Sequence, residues 1–96
     1  MIKALEIIEI EPFYVICQFS DTSKRKLYIE PLFASNTNSY SAKRVLNKQN
    51  FMKAKLGPFG QLYWNNAAQI MDCNGKAIDC EFDLSPEFIF YNSVPC

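Results

Sequence analysis

The alternation of apolar and polar positions predicts that the first third of the chain is a three-stranded antiparallel meander. Residues 2–10 are rich in β-branched side chains, and residues 13–19 place successive side chains on two faces with a period of two. A polar turn over 20–23 leads into a third strand over 24–30. Short connections of this kind are typical of neighbouring antiparallel strands.

The middle of the chain is less regular and predicts short helices. Pro31 fits the first position of a helical turn, where its missing N–H costs nothing. A helix is predicted from Ser41, as its N-cap, through about Asn50. Val45 and Leu46 are its apolar contacts.

Strand character returns in the second half. Residues 51–56 and 61–65 read as strands, and Asn74-Gly75 is the strongest hairpin signal in the chain. It predicts a two-residue type I′ turn, whose second arm over 77–84 alternates between an apolar and an acidic face.

The last element is a short aromatic helix. Ser85 is its predicted N-cap, Pro86 takes the first helical position and Glu87 lies in the first turn. The pattern therefore predicts one α+β domain over 1–96. An N-terminal antiparallel β-meander and short helices precede further antiparallel strands, a C-terminal hairpin and a closing short helix.

The amino-acid composition excludes more classes of catalytic and metal site than any sequence motif does. The 96 residues include no histidine, which removes Ser/His and Cys/His nucleophile pairs and every histidine-containing metal site. The three glycines lie in predicted turns, so no phosphate-binding glycine loop is present. We expect no enzyme activity, no catalytic residue, no metal and no cofactor.

The four cysteines form no Cys-x-x-Cys pair. In the predicted hairpin Cys73 lies opposite Lys76 and Cys80 opposite Gln69. The two sulfurs are then roughly 13 Å apart along the ladder, too far for a disulfide, whose Cα atoms lie within about 7 Å. We expect free thiols, with Cys17 and Cys80 as small core side chains. The expected free thiols, together with the lack of a signal or membrane segment in the sequence, indicate a cytoplasmic protein and no membrane partner.

Three segments resemble, in the same order, a small bacterial family known as domain of unknown function 2442. Residues 19–33 look like its second and third strands and first helical turn. Residues 60–66 resemble its Gly-x-x-x-Trp-x-Asn strand, and residues 83–91 its Asp-Leu-x-Pro-Glu-x-Leu-Tyr helix. Two departures are an insertion over 67–82, which holds the hairpin, and extra residues around 36–41.

The resemblance implies a compact α+β domain with no known catalysis. Some members of that family are fused to a helix-turn-helix module, and others are encoded beside a small protein in a toxin–antitoxin-like arrangement. Nothing follows Cys96, so we expect no fused DNA-binding domain. The resemblance assigns no functional residue.

The formal net charge is zero, yet the charges are segregated along the chain. No acidic residue lies between Pro31 and Met71, and the charged residues after Met71 are all acidic apart from Lys76. The acid-free stretch carries the predicted partner-binding residues, which are Lys43, Arg44, Lys48, Lys53 and Lys55. We therefore predict a non-enzymatic module, antitoxin-like or regulatory, that binds an acidic protein. Homodimerisation through an exposed sheet edge is a further possibility.

Nucleic-acid binding through the basic segment 43–55 is the first alternative. Residues 24–26 would extend the patch, and Tyr40, Phe51 and Tyr63 would supply stacking surfaces. The isoelectric point of about 6.2 opposes it, because nucleic-acid-binding domains typically exceed about 9. In the simplest interpretation the basic and acidic segments neutralise each other, and the aromatic residues are core.

A small enzyme is the second alternative, and the less favoured one. Asp79, Glu81 and Asp83 alternate on one strand face and could bind Mg²⁺. Alternating acids are more often a solvated face or a protected edge. Cys73 beside Lys76 is the one candidate thiol nucleophile.

Overall fold

The computed structural model describes residues 1–96 and consists of two antiparallel sheets and several short helices. The helices and strands are β1 (Ala4–Glu11), β2 (Tyr14–Phe19), β3 (Lys24–Tyr28), a 3₁₀ turn (Glu30–Phe33), α1 (Tyr40–Val45), α2 (Lys48–Phe51), β4 (Lys55–Leu56), β5 (Leu62–Met71), β6 (Ala77–Leu84), α3 (Pro86–Asn92) and β7 (Val94–Pro95). The α+β class predicted from the sequence is confirmed. None of the helices is long and apolar enough to cross a membrane.

The first sheet has the order β1-β2-β3-β7 and contains the predicted meander. Its third strand was predicted to run to residue 30 but ends at Tyr28, because the 3₁₀ turn begins at Glu30. Strand β7 was not predicted. It pairs with β3 through Arg25 and Lys26, and the Cys96 amide donates to the Lys24 carbonyl.

The single helix predicted over 41–50 is wrong: two short helices replace it. The N-cap of α1 is Ser39, whose hydroxyl accepts from the Ala42 amide at 3.0 Å. A second cap, Asn47, accepts from the Asn50 amide at 3.1 Å and starts α2. Because asparagine caps a helix better than it continues one, Asn47 breaks the run.

The strand predicted over 51–56 is also largely wrong, since only β4 (Lys55–Leu56) forms. Phe51 ends α2 instead, fully buried between the rings of Phe13 and Trp64. Tertiary packing here overrides the β-propensity of an aromatic residue.

The predicted hairpin forms, but its turn type and register are wrong. Met71 pairs with Ala77, and Cys80 lies opposite Ala68 rather than Gln69. Of the loop residues, Gly75 has a positive φ of 76° and Asn74 does not, whereas a type I′ turn requires both. The Asp72 amide donates to the Lys76 carbonyl at 2.9 Å, which leaves a three-residue loop over 73–75, and the Asp72 carboxylate accepts from the amides of Asn74 and Lys76, each at 2.8 Å.

The core lies between the two sheets. Its largest fully buried side chains include Phe19 from β2, Phe51 from α2 and Trp64 from β5. Gly60 brings β1 close to the start of β5, because a Cβ there would lie 2.9 Å from the Ala4 amide nitrogen and φ is +79°. A side chain at this position would separate the sheets.

The four cysteine thiols are unpaired in the structure. Cys17 is buried in the core, as expected, and burial raises its pKa to about 12. Cys80 is only half-buried, whereas Cys73 and Cys96 are exposed.

Candidate functional site

A wide irregularity interrupts β5 where it passes the helices. Trp64 pairs with Phe82 and Ala68 with Cys80, so three residues of β5 lie opposite one residue of β6. The middle one, Asn66, has a φ of 55°. Asparagine tolerates this left-handed conformation better than other residues that carry a Cβ. Bulges of this kind turn side chains away from the regular ladder.

The bulge forms one wall of a cavity of about 450 Å³. The opposite walls come from α1, α2 and the connection to β4. Its lining residues are Arg44, Asn50, Met52, Lys53, Ala54, Lys55, Trp64, Asn65, Asn66 and Ala67. The volume falls within the range of about 300–1,000 Å³ that is typical of ligand pockets.

Three cations and no acidic side chain line this cavity, which we call the basic cavity. Arg44 comes from α1, Lys55 from β4, and Lys53 from the residues between α2 and β4. Bringing like charges around one concave surface is unfavourable, and a bound anion would relieve that repulsion.

Three asparagine amides lie among the cations: Asn50, Asn65 and Asn66. Each side chain offers two N–H donors and one acceptor oxygen, and none is engaged in a hydrogen bond within the protein. Asn65 and Asn66 are exposed, and Asn50 is half-buried. Uncommitted donors beside cations suit an oxygen-rich anion, which accepts hydrogen bonds from both.

The apolar side of the basic cavity is held in place by the core. Trp64 is only 1% exposed, and its indole N–H donates to the Phe51 carbonyl at 3.1 Å. The same carbonyl accepts from the Ala54 amide at 3.2 Å. Trp64 therefore fixes the bulge against the helix end and is too buried to stack on a ligand.

Three of the five predicted partner-binding residues belong to the lining of the basic cavity. Arg44, Lys53 and Lys55 line the basic cavity, whereas Lys43 and Lys48 are exposed outside its lining. Helical geometry explains the split, because neighbours along α1 and α2 point in different directions. The basic cavity therefore contains part of the patch predicted from 43–55, and the role of all five cations in partner binding stays a prediction.

Arg44 is partly compensated by an acid on β6. Its guanidinium lies 5.0 Å from the centre of the Tyr40 ring, and the Tyr40 hydroxyl donates to Asp79 at 2.9 Å. Hydrogen bonds from Gln69 and Tyr40, together with the Arg44 charge, lower the pKa of Asp79. The basic and acidic segments thus neutralise each other at Arg44 and Asp79, whereas no acid lines the basic cavity beside Lys53 and Lys55.

The cations of 24–26 do not line the basic cavity, and two of them, Arg25 and Lys26, have contacts elsewhere in the fold. Arg25 donates to the carbonyl oxygens of Phe90 at 3.1 Å and Ser93 at 2.7 Å, which ties β3 to α3. The Lys26 ammonium lies 4.0 Å from the centre of the Tyr14 ring. Lys24 is exposed, and a contribution of residues 24–26 to a partner surface stays a prediction.

Two of the three aromatic residues predicted for base stacking are committed elsewhere. Phe51 is completely buried, and Tyr40 is held by Arg44 and Asp79. Tyr63 is half-buried beside Lys55 and Asp83 in the sheet. The basic cavity thus contains no exposed ring on which a base could stack.

The residues of the enzyme alternative lie on the open surface. Cys73 sits in the exposed hairpin loop, and Asp79, Glu81 and Asp83 are exposed on β6. None of them lines the basic cavity. No three His, Cys, Asp or Glu side chains are grouped so that they could hold a metal ion.

The cavity's asparagines were not predicted from the sequence. Asn65-Asn66 was assigned to the end of a strand, although two consecutive asparagines are disfavoured in strands and tolerate a positive φ. That signal could have indicated a bulge, but not its position beside Arg44 and Lys53. In comparisons with known protein families, curated proteins and solved structures, nothing matched this chain.

Proposed function

We propose that this protein is a non-enzymatic binding module whose basic cavity receives acidic side chains of a partner protein. One observation carries the proposal: three cations and three uncommitted amides share a concave surface that contains no acid. Carboxylates satisfy both groups, because they accept charge-assisted hydrogen bonds from cations and ordinary ones from amides.

The polar lining of the basic cavity is open to solvent, which favours a macromolecular ligand over a small molecule that the protein would enclose. Arg44, Lys53 and Lys55 are all exposed, as are Asn65 and Asn66. An extended acidic segment could reach these groups from solvent without any opening of the fold. An antitoxin-like or regulatory role in the bacterial cytoplasm remains a prediction from the resemblance to domain of unknown function 2442 and from the cysteine pattern.

Nucleic acid remains the competing ligand, because phosphates would also satisfy three cations. One observation favours protein: the basic cavity lacks an exposed aromatic ring on which a base could stack.

The test compares two variants with equal charge changes. The cavity variant carries Arg44→Gln, Lys53→Gln and Lys55→Gln. The control variant carries Lys43→Gln, Lys48→Gln and Lys76→Gln, three exposed cations outside the cavity lining. Fluorescence anisotropy would measure binding of an eight-residue Asp/Glu peptide and of a single-stranded thymidine oligonucleotide at several salt concentrations.

We expect the cavity variant to bind the acidic peptide at least about tenfold more weakly, because each lost charge pair contributes roughly 0.5–1 kcal/mol. The control variant should stay within about threefold of the wild type. Equal losses in both variants would refute a site at the basic cavity. Tighter binding of the oligonucleotide, with a steep salt dependence, would replace the protein ligand by nucleic acid.

A further inference from the structure

Strand β6 presents a long unpaired edge. The second sheet has the order β4-β5-β6, so β6 pairs with β5 on one side only. Its eight residues, Ala77–Leu84, form one uninterrupted strand. The outer backbone groups of such a strand are a template on which another strand can add.

The other three edge strands carry features that discourage strand addition. The pairing of β1 with β2 is irregular at two places, which bends the edge. Strands β4 and β7 have two residues each, β4 with Lys55 and β7 with Pro95. Shortness, lysine and proline are the usual protections of sheet edges. Strand β6 has neither proline nor lysine within it, and its only charges are the acids Asp79, Glu81 and Asp83, which discourage addition of any strand that lacks complementary cations.

One face of β6 is apolar and becomes uncovered towards the hairpin loop. Leu84 is 9% exposed, Cys80 is half-buried, and Ile78 is 44% exposed. Ile78 pairs with Ile70 of β5, which is 58% exposed. An added strand would find apolar neighbours already in register on this face.

The other face of β6 is acidic. Asp79, Glu81 and Asp83 alternate with the apolar residues, and all three are exposed. Asp79 already accepts hydrogen bonds from Tyr40 and Gln69. Glu81 and Asp83 have no such partners and are the free charges of this face.

A second copy of β6 does not suit this edge. If two β6 strands paired antiparallel with their apolar faces together, the acids Asp79, Glu81 and Asp83 would meet one another across the ladder. Like charges directly opposite are unfavourable. A shift of one residue would remove that contact but would set the apolar face of one copy on the acidic side of the other.

We propose that β6 binds an extended segment of another protein in which lysine or arginine alternates with apolar residues. The segment would add as a fourth strand to this sheet, with its cations facing Glu81 and Asp83 and its apolar side chains extending the Ile70–Ile78 surface. This interaction does not involve the basic cavity, so it stands or falls independently of the acidic partner.

The probe is an eight-residue peptide of alternating lysine and valine, with blocked ends. A block peptide of the same composition, with its lysines followed by its valines, tests the pattern at constant charge. The edge variant carries Glu81→Lys and Asp83→Lys. The matched control carries Glu6→Lys and Glu11→Lys, two exposed acids on the irregular edge strand β1. Anisotropy measures affinity, and hydrogen exchange of the wild type locates the peptide.

We expect the alternating peptide to slow exchange of amides within Ala77–Leu84 and to bind the edge variant about tenfold more weakly than the β1 control. The block peptide should give no such protection. Equal weakening in both variants, equal binding of both peptides, or protection confined to other strands would overturn the proposal. So would a dimer of the protein alone, seen in sedimentation and abolished in the edge variant.

Discussion

Trp64 and Phe51 are joined twice: the Trp64 indole N–H donates to the Phe51 carbonyl at 3.1 Å, and the two ring centres lie 5.7 Å apart. This pair connects the strand that carries the bulge to the end of α2. Both side chains are buried, so the contact belongs to the core, and of the two residues Trp64 also lines the basic cavity.

Replacing Trp64 with phenylalanine removes the indole donor and part of the ring volume while leaving the site apolar. We expect the free energy of unfolding to fall by about 1.5–3 kcal/mol, from one lost hydrogen bond and an incompletely filled space. Urea unfolding measures the change. Tyr63→Phe on the same strand is the control and should cost less than about 0.5 kcal/mol. A loss equal to that of the control would contradict the linking role of Trp64.

Substitutions of Asn66 distinguish two roles of this residue: its backbone conformation in the bulge and the hydrogen bonds that its amide offers to a ligand. Because its φ is 55°, Asn66→Gly should keep stability or raise it by up to about 1 kcal/mol, whereas Asn66→Val should lower it by about 1–2 kcal/mol. Thermal unfolding tests both. Both variants lose the amide, so both should bind the acidic peptide more weakly. Unchanged affinity in Asn66→Gly would remove Asn66 from the proposed site.

Asp72 organises the hairpin loop through two backbone amides. Asp72→Ala removes the acceptor, and we expect faster hydrogen exchange at the loop and at the adjoining ends of β5 and β6, with a local loss of about 1–2 kcal/mol. Asp72→Asn retains an acceptor oxygen at the same place and should change exchange much less. If the alanine variant exchanges like the wild type, the carboxylate does not determine the three-residue loop.

Cys17 gives the protein a specific sensitivity to alkaline pH. Burial raises its pKa from 9.0 to about 12 in the folded state. Below pH 9 the thiol is protonated in both states, and its contribution to stability is fully present. Between pH 9 and 12 the unfolded chain loses this proton first, so stability falls by up to about 1.4 kcal/mol per pH unit.

The check on Cys17 is a comparison with Cys17→Val, which keeps an apolar side chain of similar size. Unfolding free energies of both proteins would be measured from pH 8 to 11. The wild type should lose more stability over this range, since tyrosines and lysines titrate equally in both proteins. Parallel curves would show that Cys17 ionises normally in the folded protein.

The parts of the fold that were predicted correctly depend on local pattern. The period of two gives β2 and β6, and the cap at α3 forms as expected, with the Ser85 hydroxyl accepting from the Phe88 amide at 3.2 Å. These elements predict antiparallel strands, but they do not predict the strand order within the two sheets. Strand β7, two residues long, has no pattern that could reveal it.

The errors have a common physical origin in side-chain hydrogen bonds and tertiary packing. Asn47 as a second cap divides the predicted helix, and Asp72 as a loop organiser shifts the hairpin register by one residue. Phe51 followed its core contacts rather than its strand propensity. Single-sequence patterns carry little information on which of several competing polar groups the backbone will use.

The sequence predicts the positive charge of the cavity lining, but it does not predict the shape of the cavity. The acid-free stretch identified Arg44, Lys53 and Lys55, because clustered cations without acids are visible in any sequence. The asparagine contribution depends on how the β5 bulge meets the helices, a relationship between residues distant along the chain. The division of the five cations likewise required helix directions in space.

The bulge in β5 contains two residues more than the ladder needs, and this even number has a consequence for how the cavity could be gained or lost. Without Asn65 and Asn66, Ala67 would stand opposite Glu81, and the pairs Trp64–Phe82 and Ala68–Cys80 would both persist on their present faces. Loss of one residue would instead invert every side chain beyond it. A two-residue deletion therefore converts this part of the sheet into a regular ladder and removes one wall of the cavity, while the scaffold keeps its register.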